Sequence, residues 1–164
     1  LKVANLLNIW YYSIWKVNKM KISTKGRYAL RMLIDLAEHE NGGYVALKDI
    51  AARQDISKKY LEQIVPSLCK AGYLKASRGF QGGYMLARKP ADYTVREILE
   101  LTEGSLAPVA CLENEPASCD RSAVCPTLPL WQGLYKTICD YLDGITLQTL
   151  LDTAREHYSN DYSI

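Results

Sequence analysis

The stretch "VALKDIAARQDISKKYLEQIVPSLCKAG", Val45 to Gly72, decides the fold. Leu47, Ile50 and Ala51 fall at helical spacing in its first part, and Tyr60, Leu61, Ile64, Val65 and Leu68 do so in its second. Between them lies a tight turn that leads to Ser57, whose hydroxyl can accept an unpaired amide of the following helix. Two short helices joined in this way make a helix-turn-helix. Burying the five apolar residues of the second helix leaves Lys58, Lys59, Glu62 and Gln63 on its other side, near the N-terminus, where a recognition helix meets base edges. Pro66 removes one backbone hydrogen bond and crowds the carbonyl of Glu62, so a kink or local adjustment is expected within a single helix. Gly72 suits the helix end.

The flanking segments extend this unit in both directions. Upstream, Tyr28, Ala29, Met32, Leu33, Leu36 and Ala37 predict a helix over Lys25 to Glu38, which "ENGG" then breaks. Downstream, "YLKASRGFQGGYMLAR" offers strands at Tyr73 to Ala76 and Tyr84 to Ala87 around a glycine-rich turn. A hairpin after a recognition helix is a wing, and Arg78 at its tip could enter a minor groove or bind phosphate. Gly79, Gly82 and Gly83 permit close approach to a nucleic-acid backbone, but plain hairpin geometry explains them equally well. A nucleotide-cradling loop is disfavoured because these glycines do not open a helix.

Thr94 with Glu97 three residues later forms a capping-box pattern, predicting a helix that ends near Gly104. Farther on, Leu130, Trp131, Leu134, Tyr135, Ile138 and Leu142 lie along one face of a long helix, and a last helix begins at Thr146. An apolar stripe outside the compact winged unit needs a partner. A symmetric homodimer supplies one and would present two recognition helices to a two-fold operator. The expected fold is therefore mainly α with a small β-wing: a winged helix-turn-helix DNA-binding domain plus a long dimerisation helix. The corresponding boundaries are 20–90 for the DNA-binding domain, 91–110 for a connecting helix, 111–127 for a cysteine loop, 128–158 for dimerisation helices and 159–164 for a tail.

Charge divides along the same lines. The 164-residue chain has a net charge of +2, but Met20 to Pro90 carries 13 Lys or Arg against 6 Asp or Glu, a net of +7. Ala91 to Ile164 carries 4 against 12, a net of −8. The basic half suits a polyanion, and the acidic half argues against lying on one. No recognisable motif assembles a nucleophile, a His or a carboxylate pair, so an enzyme is the least favoured reading. The first nineteen residues, "LKVANLLNIWYYSIWKVNK", are apolar and aromatic, interrupted by Asn5, Asn8 and Ser13, and short for a membrane span. They are read as an upstream extension of the reading frame, with an amphipathic arm as the alternative.

Five cysteines and no recognisable secretory signal favour reduced thiols in a cytoplasm. Cys111, Cys119 and Cys125 fall within fifteen residues, and soft thiolates of this kind select zinc, copper(I) or iron–sulfur clusters. The C-x7-C-x5-C spacing lacks the paired knuckles of zinc ribbons, and the only histidines, His39 and His157, are distant in sequence. A wide loop suits a cluster better than a single small ion. Cys69 and Cys139 read as small buried hydrophobes.

With these residues placed, the chain resembles the iron–sulfur cluster regulator (Rrf-two) family of bacterial winged-helix transcription factors, which includes the IscR, NsrR and CymR types. The resemblance rests on "MKISTKGRYALRML", "LKDIAARQDISKKYLEQI", "RGFQGGYML", the three-cysteine loop and the "LW" that opens the long helix. It implies a homodimer that binds double-stranded operator DNA. Base recognition falls on Lys59, Glu62 and Gln63, and the wing arginine on Arg78. Lys59 stands where IscR has a serine, so the preferred sequence would differ. Lys21, Lys25, Lys48 and Lys58 fit phosphate contacts. The family's cluster ligands match Cys111, Cys119 and Cys125, with a 2Fe-2S cluster favoured over 4Fe-4S. A fourth ligand does not carry over, because the IscR-like histidine position holds Leu128 and the NsrR-like acidic position holds Arg27. Two alternatives stay open: a cluster-free CymR-like regulator controlled by a partner or a thiol, and a zinc-stabilised protein-interaction adaptor.

Overall fold

The computed structural model of the protein describes residues 21–39, 42–79, 81–114 and 119–161, so the reading of residues 1–19 lies outside it. Among the described residues, six α-helices and two strands follow in the order α1 (Thr24–His39), α2 (Leu47–Gln54), α3 (Lys58–Lys70), β1 (Leu74–Ser77), β2 (Gly83–Leu86), a 3-10 turn at Pro90–Asp92, α4 (Val95–Glu103), 3-10 turns at Ala110–Leu112 and Ser122–Val124, α5 (Leu128–Asp143) and α6 (Leu147–Asp161). The chain divides into two compact units. One contains Ala107–Tyr135; the other joins Ile22–Leu106 to the segment from Lys136 onward.

The apolar periodicity read from the sequence becomes the core of the larger unit. Ala29, Met32, Leu33 and Leu36 of α1 pack with Leu47 and Ile50 of α2 and with Leu61, Ile64, Val65 and Leu68 of α3. Leu74, Leu86, Tyr93, Ile98 and Leu147 complete it, so the start of α6 belongs to the same core as the helix-turn-helix.

Local chemistry sets the boundaries. Ser57 caps α3 by accepting from the Tyr60 amide at 3.2 Å. At the other end, the Gly72 amide donates to the Cys69 carbonyl (3.0 Å) and the Tyr73 amide to that of Leu68 (2.9 Å), with Gly72 at φ +75°. This paired closure uses glycine because the left-handed region penalises a Cβ. Pro66 lies within α3, which remains one helix. The turn between α2 and α3 places Asp55 at φ 50°, left-handed for a non-glycine residue. Thr94 accepts from the Glu97 amide at 3.2 Å, but Glu97 turns its carboxylate to Arg88, so only half of the capping box forms.

The hairpin strands pair antiparallel from Leu74↔Leu86 to Ser77↔Gly83, one residue from the sequence-derived bounds. An additional bridge joins Val45 to Tyr84 through two 2.9 Å hydrogen bonds, fastening the segment before α2 to the wing. That contact explains Gly83: a Cβ there would sit 2.2 Å from the Val45 carbonyl oxygen. A second bridge, Thr94↔Thr146, joins the entrance of α4 to the junction of α5 and α6.

Candidate nucleic-acid interface and cysteine loop

The helix-turn-helix is held in shape by a buried carboxylate. Asp35 on α1 has no solvent exposure and receives Arg53 Nε at 2.9 Å, Arg53 Nη2 at 2.5 Å and Gln54 Nε2 at 3.0 Å. Arg31 donates to the backbone carbonyl and side chain of Gln54 as well, so the end of α2 is fixed from two positions on α1. The neighbouring carboxylate, chiefly through its hydrogen bond, holds the Arg53 pKa above its ordinary value. Sequence reasoning passed over this clamp, although an acidic residue beside the apolar stripe of α1 was a visible signal.

On this scaffold the first turns of α3 present Lys58, Lys59, Glu62 and Gln63, all exposed, while Leu61, Ile64 and Val65 face inward. Without DNA, Lys58 pairs with Glu62 at 3.2 Å. Both side chains are more than half exposed, so the pair contributes little to stability and is readily exchanged for other partners. Arg78 is exposed at the wing turn, where Gly79 adopts φ +108°. Lys48 is exposed on the first turn of α2. Together with His39, Tyr44, Asp49, Arg53 and Gln81 it lines an open pocket of about 710 Å³ between α2 and the wing turn. Lys25 lies half-buried near the start of α1. Lys48 and the wing turn are thus brought together around one pocket.

α1 also has a cap that the sequence did not disclose. The Glu103 carboxylate accepts from the Ser23 amide (3.1 Å), the Ser23 hydroxyl (2.8 Å) and the Gly26 amide (3.0 Å). An acidic group is favourable there because the unpaired amides and the helix dipole both attract negative charge. A Cβ at Gly26 would fall 2.3 Å from Glu103 Oε1, so a larger residue there would push this flexible carboxylate out of its place in the cap.

The cysteine segment belongs to the other unit. Cys111 lies on the 3-10 turn Ala110–Leu112, Cys119 is exposed, and Cys125 follows the turn Ser122–Val124. None of the five cysteines forms a disulfide. A contact of 3.4 Å with the Thr127 hydroxyl lowers the Cys125 thiol pKa, whereas burial raises that of Cys69. The donor set is soft and suits an iron–sulfur cluster, but among the described residues no three His, Cys, Asp or Glu converge closely enough to hold a metal ion. Cys139 is buried, as expected, and Cys69 is half-buried.

Of the long-helix stripe, Leu130 (62% exposed) and Leu134 (42%) are open to solvent; Trp131, Tyr135, Ile138 and Leu142 are half-buried. Tyr141 is exposed on the same helix. Among the described residues, no helix is long and apolar enough to cross a membrane.

Residues 22–153 match the family described as "Rrf2: Iron-dependent Transcriptional regulator". The chain is 43% identical over 135 residues to the protein rrf2 of Nitratidesulfovibrio vulgaris, covering 82% of this chain and 89% of that one. Among solved structures it is similar to the T. potens IscR, at 42% identity and a TM-score of 0.67, covering 84% of this chain and 90% of that one. It is also similar to CymR, described as the global cysteine regulator of B. subtilis, at 38% identity and a TM-score of 0.67, covering 81% and 97% respectively.

Proposed function

This chain belongs to the Rrf2 family of DNA-binding, non-enzymatic transcriptional regulators, and from that premise we propose that it is a cytoplasmic homodimer whose operator affinity is set by an iron–sulfur cluster. In this reading Lys59, Glu62 and Gln63 read base edges. Arg78 serves the wing, and Lys21, Lys25, Lys48 and Lys58 contact phosphates. Lysine and arginine suit phosphate through charge, whereas Glu62 can accept from a cytosine amino group and penalise sites that lack one. The observation that carries the DNA-reading assignment is the exposure of Lys58, Lys59, Glu62 and Gln63 together at the start of α3, above a buried apolar face.

Cys111, Cys119 and Cys125 would hold the cluster, 2Fe-2S in preference to 4Fe-4S, which would supply redox or nitric-oxide sensitivity. The reading is supported by three free thiols within fifteen residues and by the similarity to an IscR. A second reading, a CymR-like regulator that uses its thiols without a cluster, draws support from the similarity to CymR and from the Thr127 hydrogen bond that lowers the Cys125 pKa. The deciding experiment is iron, acid-labile sulfide and zinc analysis with a visible spectrum on anaerobically purified protein. Iron with sulfide is the expected result. A colourless, iron-free protein favours the thiol-controlled regulator, and zinc alone, without salt-dependent duplex binding, favours the adaptor.

A further inference from the structure

Tyr93 is a wholly buried tyrosine whose hydroxyl and main chain bond to different parts of the fold. Its hydroxyl donates to the Tyr73 carbonyl at 2.8 Å, immediately before β1. The same oxygen accepts from the Ala87 amide at 3.0 Å and the Arg88 amide at 2.9 Å, immediately after β2. One phenol oxygen therefore ties both ends of the wing. Around it, Arg88 stacks over the rings of Tyr93 (4.4 Å) and Tyr73 (4.9 Å) and pairs with Glu97 of α4 at 2.9 Å.

The main chain of the same residue points to the opposite end of the sequence. The Leu147 amide donates to the Tyr93 carbonyl at 2.9 Å, and the Val95 amide donates to that of Ile145, also at 2.9 Å. These bonds and the Thr94↔Thr146 bridge bind the residue to the junction of α5 and α6. We propose that Tyr93 is a positioning residue that couples the stance of the wing to the junction between α5 and α6. The physical basis is short and rigid: one buried residue has its side chain in the wing and its carbonyl on the first residue of α6. A shift at the junction that displaces the Tyr93 backbone displaces the phenol with it, and three hydrogen bonds then carry that shift to the wing base. A ring filling the core would need only its apolar surface. The hydroxyl adds direction.

The consequence for DNA affinity rests on the proposed reading of the wing as a DNA contact; the coupling itself is testable without DNA. Amide hydrogen exchange on the full chain would compare the native protein, Tyr93→Phe, Thr146→Ala and the double variant. Thr146→Ala removes the hydroxyl that accepts from the Thr149 amide at 3.1 Å and so loosens the start of α6. The expected result for Tyr93→Phe is exchange about tenfold faster at Arg88, whose amide loses the phenol acceptor, and at β2, with α2 and α3 little changed; Ala87, whose amide also donates to the Tyr73 carbonyl at 3.1 Å, should respond less. Thr146→Ala should speed wing exchange in the native background and add nothing in Tyr93→Phe. Unchanged wing exchange in Tyr93→Phe, equal acceleration throughout α2 and α3, or additive effects of the two substitutions would each overturn the proposal. On DNA, Arg78→Ala should weaken native binding and have a smaller effect in Tyr93→Phe. If Arg78→Ala alone leaves affinity unchanged, the DNA reading of the wing fails and the exchange comparison decides the role of Tyr93.

Discussion

Arg53 grips Asp35 with two nitrogens, Nε on Oδ2 at 2.9 Å and Nη2 on Oδ1 at 2.5 Å, and thereby fixes the end of α2 to α1. Removing Arg53 would leave Asp35 as a buried carboxylate with the Gln54 amide at 3.0 Å and the His39 ring at 3.9 Å for compensation. Arg53→Ala should cost about 1–3 kcal/mol of stability, the scale of a buried group stripped of a charged hydrogen-bond partner, since Arg53 itself is exposed. Chemical denaturation measures it, and a loss below 1 kcal/mol would mean that water already reaches the carboxylate.

Glu62→Ala should relax sequence preference while leaving non-specific duplex binding largely intact. Its exposed pairing with Lys58 contributes little to the free protein, so the fold should not suffer. Competition between operator variants reads the effect, expected at about 1–3 kcal/mol of lost discrimination. Equal losses on every duplex would remove Glu62 from base recognition.

Gly83→Ala should separate the wing from the segment ahead of α2. The new methyl would meet the Val45 carbonyl at 2.2 Å, backbone that cannot swing aside as a side chain can. A destabilisation of about 1–3 kcal/mol is expected from overpacking, together with weaker DNA binding. Thermal unfolding and duplex titration check the two parts separately.

The Cys125 and Cys69 thiols should react at different rates. Hydrogen bonding to Thr127 lowers the Cys125 pKa and enlarges its thiolate fraction near neutral pH, while burial acts oppositely on Cys69. Iodoacetamide labelling of metal-free protein, followed by mass spectrometry, should find Cys125 modified first, with its advantage shrinking as pH rises above both values. Separately, replacing Cys111, Cys119 and Cys125 with Ala should abolish visible cluster absorption; retained absorption would move the ligands elsewhere.

Leu134→Glu places a charge on the open apolar stripe of α5. A dimer built on that stripe should dissociate in sedimentation experiments at micromolar concentration, and operator affinity should fall with it. Sedimentation identical to the native chain would place the interface on another surface.

The helix-turn-helix was legible because its signals are local: apolar spacing in α2 and α3, Ser57 at a helix entrance and Gly72 at an exit. The wing was legible to within one residue from its glycines and its tyrosines. What the sequence did not disclose joins distant residues. Glu103 caps α1 from 77 positions away, Val45 adds a bridge to the hairpin, and Tyr93 binds the junction at Thr146. No periodicity encodes such pairs, because each depends on how finished elements meet. Thr94 and Glu97 show the opposite failure, a correct local pattern of which one half was drawn away by Arg88.

The unit Ala107–Tyr135 interrupts the larger unit, which resumes at Lys136. The larger unit is therefore sewn from two separated pieces of chain, with Leu147 from the later piece in the core of the earlier one. A single proteolytic cut among the cysteines would sever the chain without releasing the reading head, because the fragments remain joined through that shared core. Truncation before Leu147 is a different injury: it removes a wall of the core and the amide that donates to the Tyr93 carbonyl. A fragment that keeps the core of this unit whole would have to join both pieces, because both tethers of the cysteine-bearing insertion return to it.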